Sequence, residues 1–361
     1  VKGTVLIAGF ATRHVVQSAW RAGYEVCAID HFCDQDLTWY AKEWSIFEEL
    51  DQIPSLIEDY INRYPIDAII TTSGAETIAG DPRFCGTPPD IAGRFLDKSR
   101  IQEFFLETGI PAPAVLPEGV YPAFIKPLNG AGGWRNSLVR TEAEEEAWRE
   151  LWPDDPYIRQ TPISGTPCSV SCIANGTEAR AIAVNEQFMR GGDGERAFGF
   201  AGACTPFATE ETEALADIAE RIVTASGCVG SVGVDFIVSE DGIYAIEINP
   251  RFQATLDIVE ESLARSVFDL HLDACRGRIP PVRPLPAGYV ARTILFADHD
   301  LRVGDDLKHL APAVADIPWK GTEIEEGSAV ISVYGRGSSR DEALSLLDKT
   351  ITQVREYMSR W

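Results

Sequence analysis

Short apolar runs alternate with amphipathic stretches from the start of the chain. Residues 4–9 form an apolar run of strand length, residues 14–22 carry a helical spacing, and residues 24–30 are apolar again. The amphipathic stretch 53–62 then precedes a third apolar run at 65–71. Strands alternating with helices in this manner predict a parallel sheet, open and doubly wound. The first strand–helix turn reads GFATR rather than GxGxxG. A nicotinamide-dependent dehydrogenase is therefore disfavoured, because the turn lacks the glycines that admit a dinucleotide pyrophosphate.

The pattern changes after the turn at 86–89. Residues 91–108 are expected as one helix containing Asp97, Lys98 and Ser99, and Gly109-Ile-Pro-Ala-Pro113 stops it. From Pro122 the order is strand, glycine-rich turn, strand (AFIKP, LNGAGGW, NSLVR), then an acidic helix over 142–151. Strands are expected at 157–160, 168–174 and 179–185, and an amphipathic helix at 210–226. A hairpin pairs 232–238 with 243–248 around Glu240-Asp241-Gly242, and a helix follows to Arg276. The proline-rich stretch 280–286 marks a boundary before a small α/β tail at 287–361.

Composition narrows the function classes. Thirty-two basic against fifty-five acidic residues leave a net charge of -23, a field that repels nucleic acid and anionic membrane surfaces. No apolar run reaches membrane-spanning length. The eight cysteines form no CxxC pair and read as small buried hydrophobes in a reducing compartment, so a cytoplasmic protein is expected.

Three local signals carry chemistry. In a strand, residues two apart share a face, so Glu247 and Asn249 point the same way. A three-residue loop at 240–242 would set Asp235 opposite Glu247, whereas a two-residue loop would send Asp235 to the other face. In the first register two carboxylates and an amide oxygen cluster on apolar strands, which favours a cation, and magnesium prefers such hard oxygen ligands. The second signal is Lys126-Pro-Leu-Asn-Gly-Ala-Gly-Gly133. Backbone amides of such a loop can approach phosphate oxygens, with a lysine at its base adding charge. It is not a Walker A loop, because the lysine precedes the glycines. The third is the strand exit Tyr157-Ile-Arg-Gln-Thr-Pro-Ile-Ser-Gly165, an extended linker able to offer backbone groups to an adenine edge.

Taken in order, Lys98 before GIPAP, Lys126 before the glycine loop, QTPISG, GVDFIV and AIEINPRF resemble the ATP-grasp superfamily. That superfamily includes biotin carboxylase, D-alanine–D-alanine ligase and purine-pathway ligases. Within it the chain resembles most a predicted carboligase branch of archaea and methylotrophs, associated with C1-carrier cofactors such as methanofuran and similar to tyramine–glutamate ligase. The implied fold is α/β: an N-terminal parallel-sheet (pre-ATP-grasp) domain at 1–95, a small lid subdomain at 96–160, a central ATP-grasp subdomain at 161–279 and a small C-terminal α/β domain at 280–361.

The resemblance further implies a set of roles. Lys98 and Lys126 would hold ATP phosphates under a flexible lid made by Gly130, Ala131, Gly132 and Gly133. Gln160, Thr161, Pro162 and Ile163 would line the adenine site. Asp235, Glu247 and Asn249 would bind two Mg2+ ions, with Mn2+ as a substitute and Glu247 bridging, and Arg251 would face the γ-phosphate or acyl phosphate. Many relatives carry an acidic residue for the ribose just after the linker glycine, whereas Thr166-Pro167-Cys168 offers none. Arg190 and Arg292 are candidate anchors for a substrate carboxylate. The expected reaction joins a small-molecule carboxylate to an amine through an acyl phosphate, forming ADP and phosphate; a homodimer is left open. A bicarbonate-dependent carboxylase and a silent nucleotide-binding module are the alternatives.

Overall fold

The computed structural model describes residues 1–361 except Ala79, Ala131 and Asp193. Strands β1 (Thr4–Ala8), β2 (Glu25–Asp30), β3 (Glu43–Ile46) and β4 (Ala68–Thr71) form a parallel sheet in the order β3-β2-β1-β4. Helix α1 (Arg13–Arg21) lays Val15, Val16 and Ala19 on the face that carries Val5 and Ile7. Helix α2 (Ile53–Arg63) covers the opposite face, where Ile53, Ile57 and Tyr60 meet Leu6 and Ala8. Alternate residues of β1 thus feed two cores, as a strand's period of two requires. The sheet is doubly wound as expected; β3 has no counterpart in the sequence reading.

The expected helix over 91–108 is broken. A short α3 (Pro89–Ala92) passes through a 3-10 turn before α4 (Lys98–Glu107) begins. Asp97 leaves the helical region and its carboxylate accepts from the amides of Ser99 (2.8 Å) and Arg100 (3.3 Å). That is an N-cap, so Lys98 opens the helix instead of sitting in its middle.

Strands β5 (Ala123–Pro127), β6 (Ser137–Val139) and β7 (Tyr157–Gln160) make a small antiparallel sheet in the order β6-β5-β7, backed by α5 (Glu142–Leu151). The large sheet is antiparallel. It starts with β8 (Thr166–Asn175), β9 (Ala179–Met189) and β10 (Phe200–Thr205), the last of these unforeseen. Helix α6 (Thr212–Ser226) packs Leu215, Ala219 and Ile222 across it, beside Phe104 and Phe105 of α4. The hairpin β11 (Val229–Ser239) and β12 (Gly242–Asn249) closes one edge.

The single helix expected up to Arg276 is two, α7 (Leu256–Leu263) and α8 (Val267–Cys275). Ala264 takes a left-handed conformation at φ 49°, and Ser266 caps the second helix through the Asp269 amide at 3.0 Å. Beyond them run β13 (Tyr289–Phe296), β14 (Leu301–Arg302), β15 (Val314–Ala315), β16 (Glu323–Ile324), β17 (Ala329–Gly337) and α9 (Arg340–Met358). Because β13 pairs with β10, strands β13, β17 and β15 continue the large sheet, ordered β12-β11-β8-β9-β10-β13-β17-β15, while β14 and β16 pair with each other apart from it. Among the described residues no helix is long and apolar enough to cross a membrane.

One buried group gives the fold a pH dependence. His271 on α8 accepts from the Ser231 amide at Nδ1 (2.9 Å), so Nε2 holds the proton and donates to the Cys85 carbonyl (3.1 Å). Burial lowers its pKa to about 4, and charging would set a second N–H against the Ser231 amide. The unfolded chain protonates first, near pH 6.5, so stability is present above that pH and is lost as pH falls from there toward 4. Urea denaturation at pH 7 and pH 5 is expected to differ by roughly 2 kcal/mol from this residue. An imidazole that titrates near 6.5 in the folded protein, followed by its ring nitrogen shifts, would refute the assignment.

Candidate active site

The centre of the site is the β11–β12 hairpin. Asp235 does stand opposite Glu247, but not through the loop expected from sequence. Ser239 pairs with Gly242, leaving the two-residue turn Glu240-Asp241 with Gly242 at φ 138°. A bulge then shifts the register between Phe236 and Asp235, so that Phe236 faces Ala245 and Asp235 faces Glu247, with Ile246 left over. One extra residue turns the strand by half a period, which returns both carboxylates to one face.

Neutral amides surround Asp235. Gln187 Nε2 of β9 donates to one carboxylate oxygen at 2.9 Å, and Asn249 Nδ2 donates to the other at 3.0 Å. Burial pushes this carboxyl up to about 7, and the facing Glu247 adds to the rise. Asn249 turns its Oδ1 toward Arg251 at 3.3 Å, so it would have to turn over to present oxygen to a cation. Among the described residues no group of three or more His, Cys, Asp or Glu side chains gathers as a metal centre. The set is two carboxylates and an amide.

Lys126 and Lys98 approach from the other wall. Lys126 sits near the end of β5 and is buried; burial lowers its pKa to about 8, with Glu247 and Asp235 opposing the shift. Lys98 Nζ donates to the Gly130 carbonyl at 2.9 Å. Gly130, Gly132 and Gly133 have φ of 123°, 70° and 74°, values that only glycine adopts without strain. Ala131 lies outside the described residues. This loop rests on the segment joining β9 to β10: the Arg135 amide donates to the Glu195 carbonyl (2.7 Å), and the Phe200 amide to that of Gly132 (3.3 Å).

These elements enclose a cavity of about 960 Å³. Its lining includes Lys98, Lys126, Gly130, Gly132, Gly133, Gln160, Thr161, Pro162, Ile163, Asp235, Glu247, Asn249 and Arg251. Phe124, Leu138, Phe236 and Ile246 supply apolar wall near the linker that follows β7. The volume suits a nucleotide-sized ligand. Arg251 is held in place: its Nε donates to Glu76 Oε1 of the loop after β4 at 2.9 Å.

The two arginines expected to anchor a substrate lie elsewhere. Arg190 donates to the Gly327 carbonyl at 2.9 Å and stacks on the Phe296 ring at 3.7 Å. Arg292 is buried and fully engaged, bonded to the Ala254 carbonyl, to Asp316 (2.9 Å) and to Ser332 (2.8 Å). It belongs to a buried ionic network in which Arg13 of α1 meets Asp316 (2.8 Å), Asp257 (3.2 Å) and Asp36 (3.5 Å), and Tyr334 donates to Asp257. An arginine on an apolar strand is as readily a buried ion-pair partner as a ligand anchor. Conversely, Gln187 and Glu76 escaped notice in the sequence, since neither stands in a motif or beside one.

Residues 95–255 match the family model described as ATP-grasp domain. An uncharacterized protein of Methanocaldococcus jannaschii is 23% identical over 384 residues, spanning 98% of this chain and 93% of its own length. The biotin carboxylase of Campylobacter jejuni, solved in a beta-gamma-ATP complex, superposes with a TM-score of 0.77 at 15% identity, covering 95% of this chain and 89% of that one. The L-amino acid ligase of Bacillus licheniformis gives 0.72 at 16% identity, with 97% of each chain covered. Residues 95–255 thus match an ATP-grasp domain, and the mixed α/β architecture is the ATP-grasp fold.

Proposed function

We propose that this protein is an ATP-dependent carboxylate–amine ligase that works through an acyl phosphate. The observation that carries this reading is convergence in one cavity. Two lysines and a glycine loop meet an opposed pair of carboxylates, Asp235 and Glu247, beside a restrained arginine. Phosphoryl transfer needs this combination of positioning and charge, and little covalent help.

The donor set fits a hard divalent cation. Asp235 and Glu247 oppose each other on a partly buried wall, and among the described residues the side chains that hydrogen-bond Asp235 are neutral amides, with Lys126 and Arg251 acting on the pair without a hydrogen bond to Asp235. Asp235, Glu247 and Asn249 would hold Mg2+, and Mn2+ could replace it. When bound, the metal neutralises charge on the phosphoryl oxygens.

The chain's own residues do the rest. Lys126 and Lys98 hold the phosphates, and the glycine loop covers them and keeps water from the intermediate. A carboxylate oxygen of the acid attacks the γ-phosphorus, and the bond to the bridging oxygen of ADP breaks. Arg251, fixed by Glu76, positions the resulting acyl phosphate. The neutral amine then attacks the acyl carbon, phosphate leaves, and the amine gives up a proton. Similarity to the predicted carboligase branch supports glutamate or another amino acid as the acid, and an amine used in C1-carrier cofactor synthesis as the acceptor.

Supplying the acid labelled with heavy oxygen tests the reaction. One label is expected in inorganic phosphate, with ADP as co-product. Label in AMP would overturn the reading, and turnover that depends on bicarbonate in place of the acid would move the chain to the carboxylase alternative.

A further inference from the structure

Six of the eight cysteines are buried, whereas Cys85 and Cys275 are partly exposed. These two meet although they lie far apart in the chain. Cys85 ends the loop after β4, and both of its backbone groups are tied down. Its amide donates to the Ile69 carbonyl of β4 (2.8 Å), and its carbonyl accepts from His271 Nε2 (3.1 Å). His271 and Cys275 are one turn apart on α8, so they share a helix face, and that face is turned to Cys85. The Cys275 thiol donates a hydrogen bond to the Cys85 sulfur. That bond holds Cys85 down to about 7 against the effect of burial, and Arg276 adds to the fall. Cys275, as the donor, is pushed well above the usual thiol range. Among the described residues no third His, Cys, Asp or Glu gathers with them, so the pair is not a metal centre. Neither cysteine lines the cavity that holds Lys126 and Asp235.

We infer that Cys85 and Cys275 are a redox-active dithiol, in which Cys85 attacks a small-molecule disulfide and Cys275 resolves the adduct. The Cys85 thiolate bonds to one sulfur of a reagent such as oxidised glutathione, whose S–S bond breaks and whose other half leaves as a thiolate. Cys275 then loses its proton, its sulfur attacks that of Cys85, and the second half leaves. The two protein sulfurs are oxidised, and the small disulfide is reduced to two thiols that take up the two protons. The new bond clamps onto α8 the end of the loop whose Glu76 holds Arg251.

The test is to incubate the intact protein with oxidised glutathione, alkylate the remaining thiols and map the peptides by mass spectrometry. A Cys85–Cys275 linked peptide is expected, with the six buried cysteines unmodified, and dithiothreitol should restore both thiols. Cys275→Ser removes the resolving sulfur, so glutathione should stay on Cys85. In Cys85→Ser, Cys275 should take up glutathione at least about tenfold more slowly than Cys85 does in the other variant. The wild-type map needs no substitution, so a variant that fails to fold does not blunt the test. A lasting glutathione adduct on wild-type Cys85, or a Cys85 that reacts no faster than the six buried cysteines, would overturn the inference.

Discussion

Glu247→Gln is expected to lower ADP formation by a factor on the order of a thousand while leaving the protein folded. The substitution keeps the shape of the side chain and removes the charge opposite Asp235. The apo protein should not lose thermal stability, and a small gain is expected, because the facing Glu247 contributes to the raised pKa of Asp235. Loss of function with unchanged or higher melting temperature marks a group held against its own interest for chemistry. Steady-state ADP release with a parallel thermal melt checks both halves. Parent-like turnover would remove Glu247 from the site.

Gly133→Ala is expected to raise the KM for ATP by roughly tenfold or more, with a smaller fall in turnover. Two penalties act together. The residue has φ 74°, where a Cβ costs about 1–2 kcal/mol, and that Cβ would run into the Phe198 carbonyl. The loop would have to lift from the β9–β10 segment, losing its hydrogen bonds to Glu195 and Phe200. Gly132→Ala separates the terms: its φ is 70°, but among the described residues a Cβ there meets nothing within 4 Å. Only the backbone cost applies, so its effect should be clearly smaller. Equal effects of the two substitutions would show that contact with the facing segment is irrelevant.

The parts of this site that were legible in the sequence are those encoded locally. The two-residue strand period sets Glu247 beside Asn249, and the glycines after Lys126 mark a loop whatever the tertiary context. The Asp235–Glu247 pairing came out as expected for a different reason: the turn is a residue shorter than foreseen and the bulge at Ile246 makes up the difference. A bulge inside an apolar strand leaves no compositional trace, because the extra residue is as apolar as its neighbours. Asp97 did leave one, as an N-cap residue before Lys98, yet the apolar periodicity running through it masked the helix break. Gln187 and Glu76 act on residues 48 and 175 positions away, and separations of that size have no periodic signature. The same distance effect hid the partners of Arg292.

The ionic network around Arg13 bears on how this chain can be re-engineered. Its members come from α1, the loop after β2, α7, β13 and the segments around β15 and β17, so its charges balance only when the beginning and the end of the chain are both present. Cutting away residues 280–361 would strip Arg13 of Asp316, strip Asp257 of Arg292 and Tyr334, and expose the edge of β10 that β13 covers. The β5–β7 sheet with α5 contributes no side chain to it among the described residues. Exchanging residues 116–160 with those of a relative would therefore leave this network intact, whereas removing either terminal region would unbalance it.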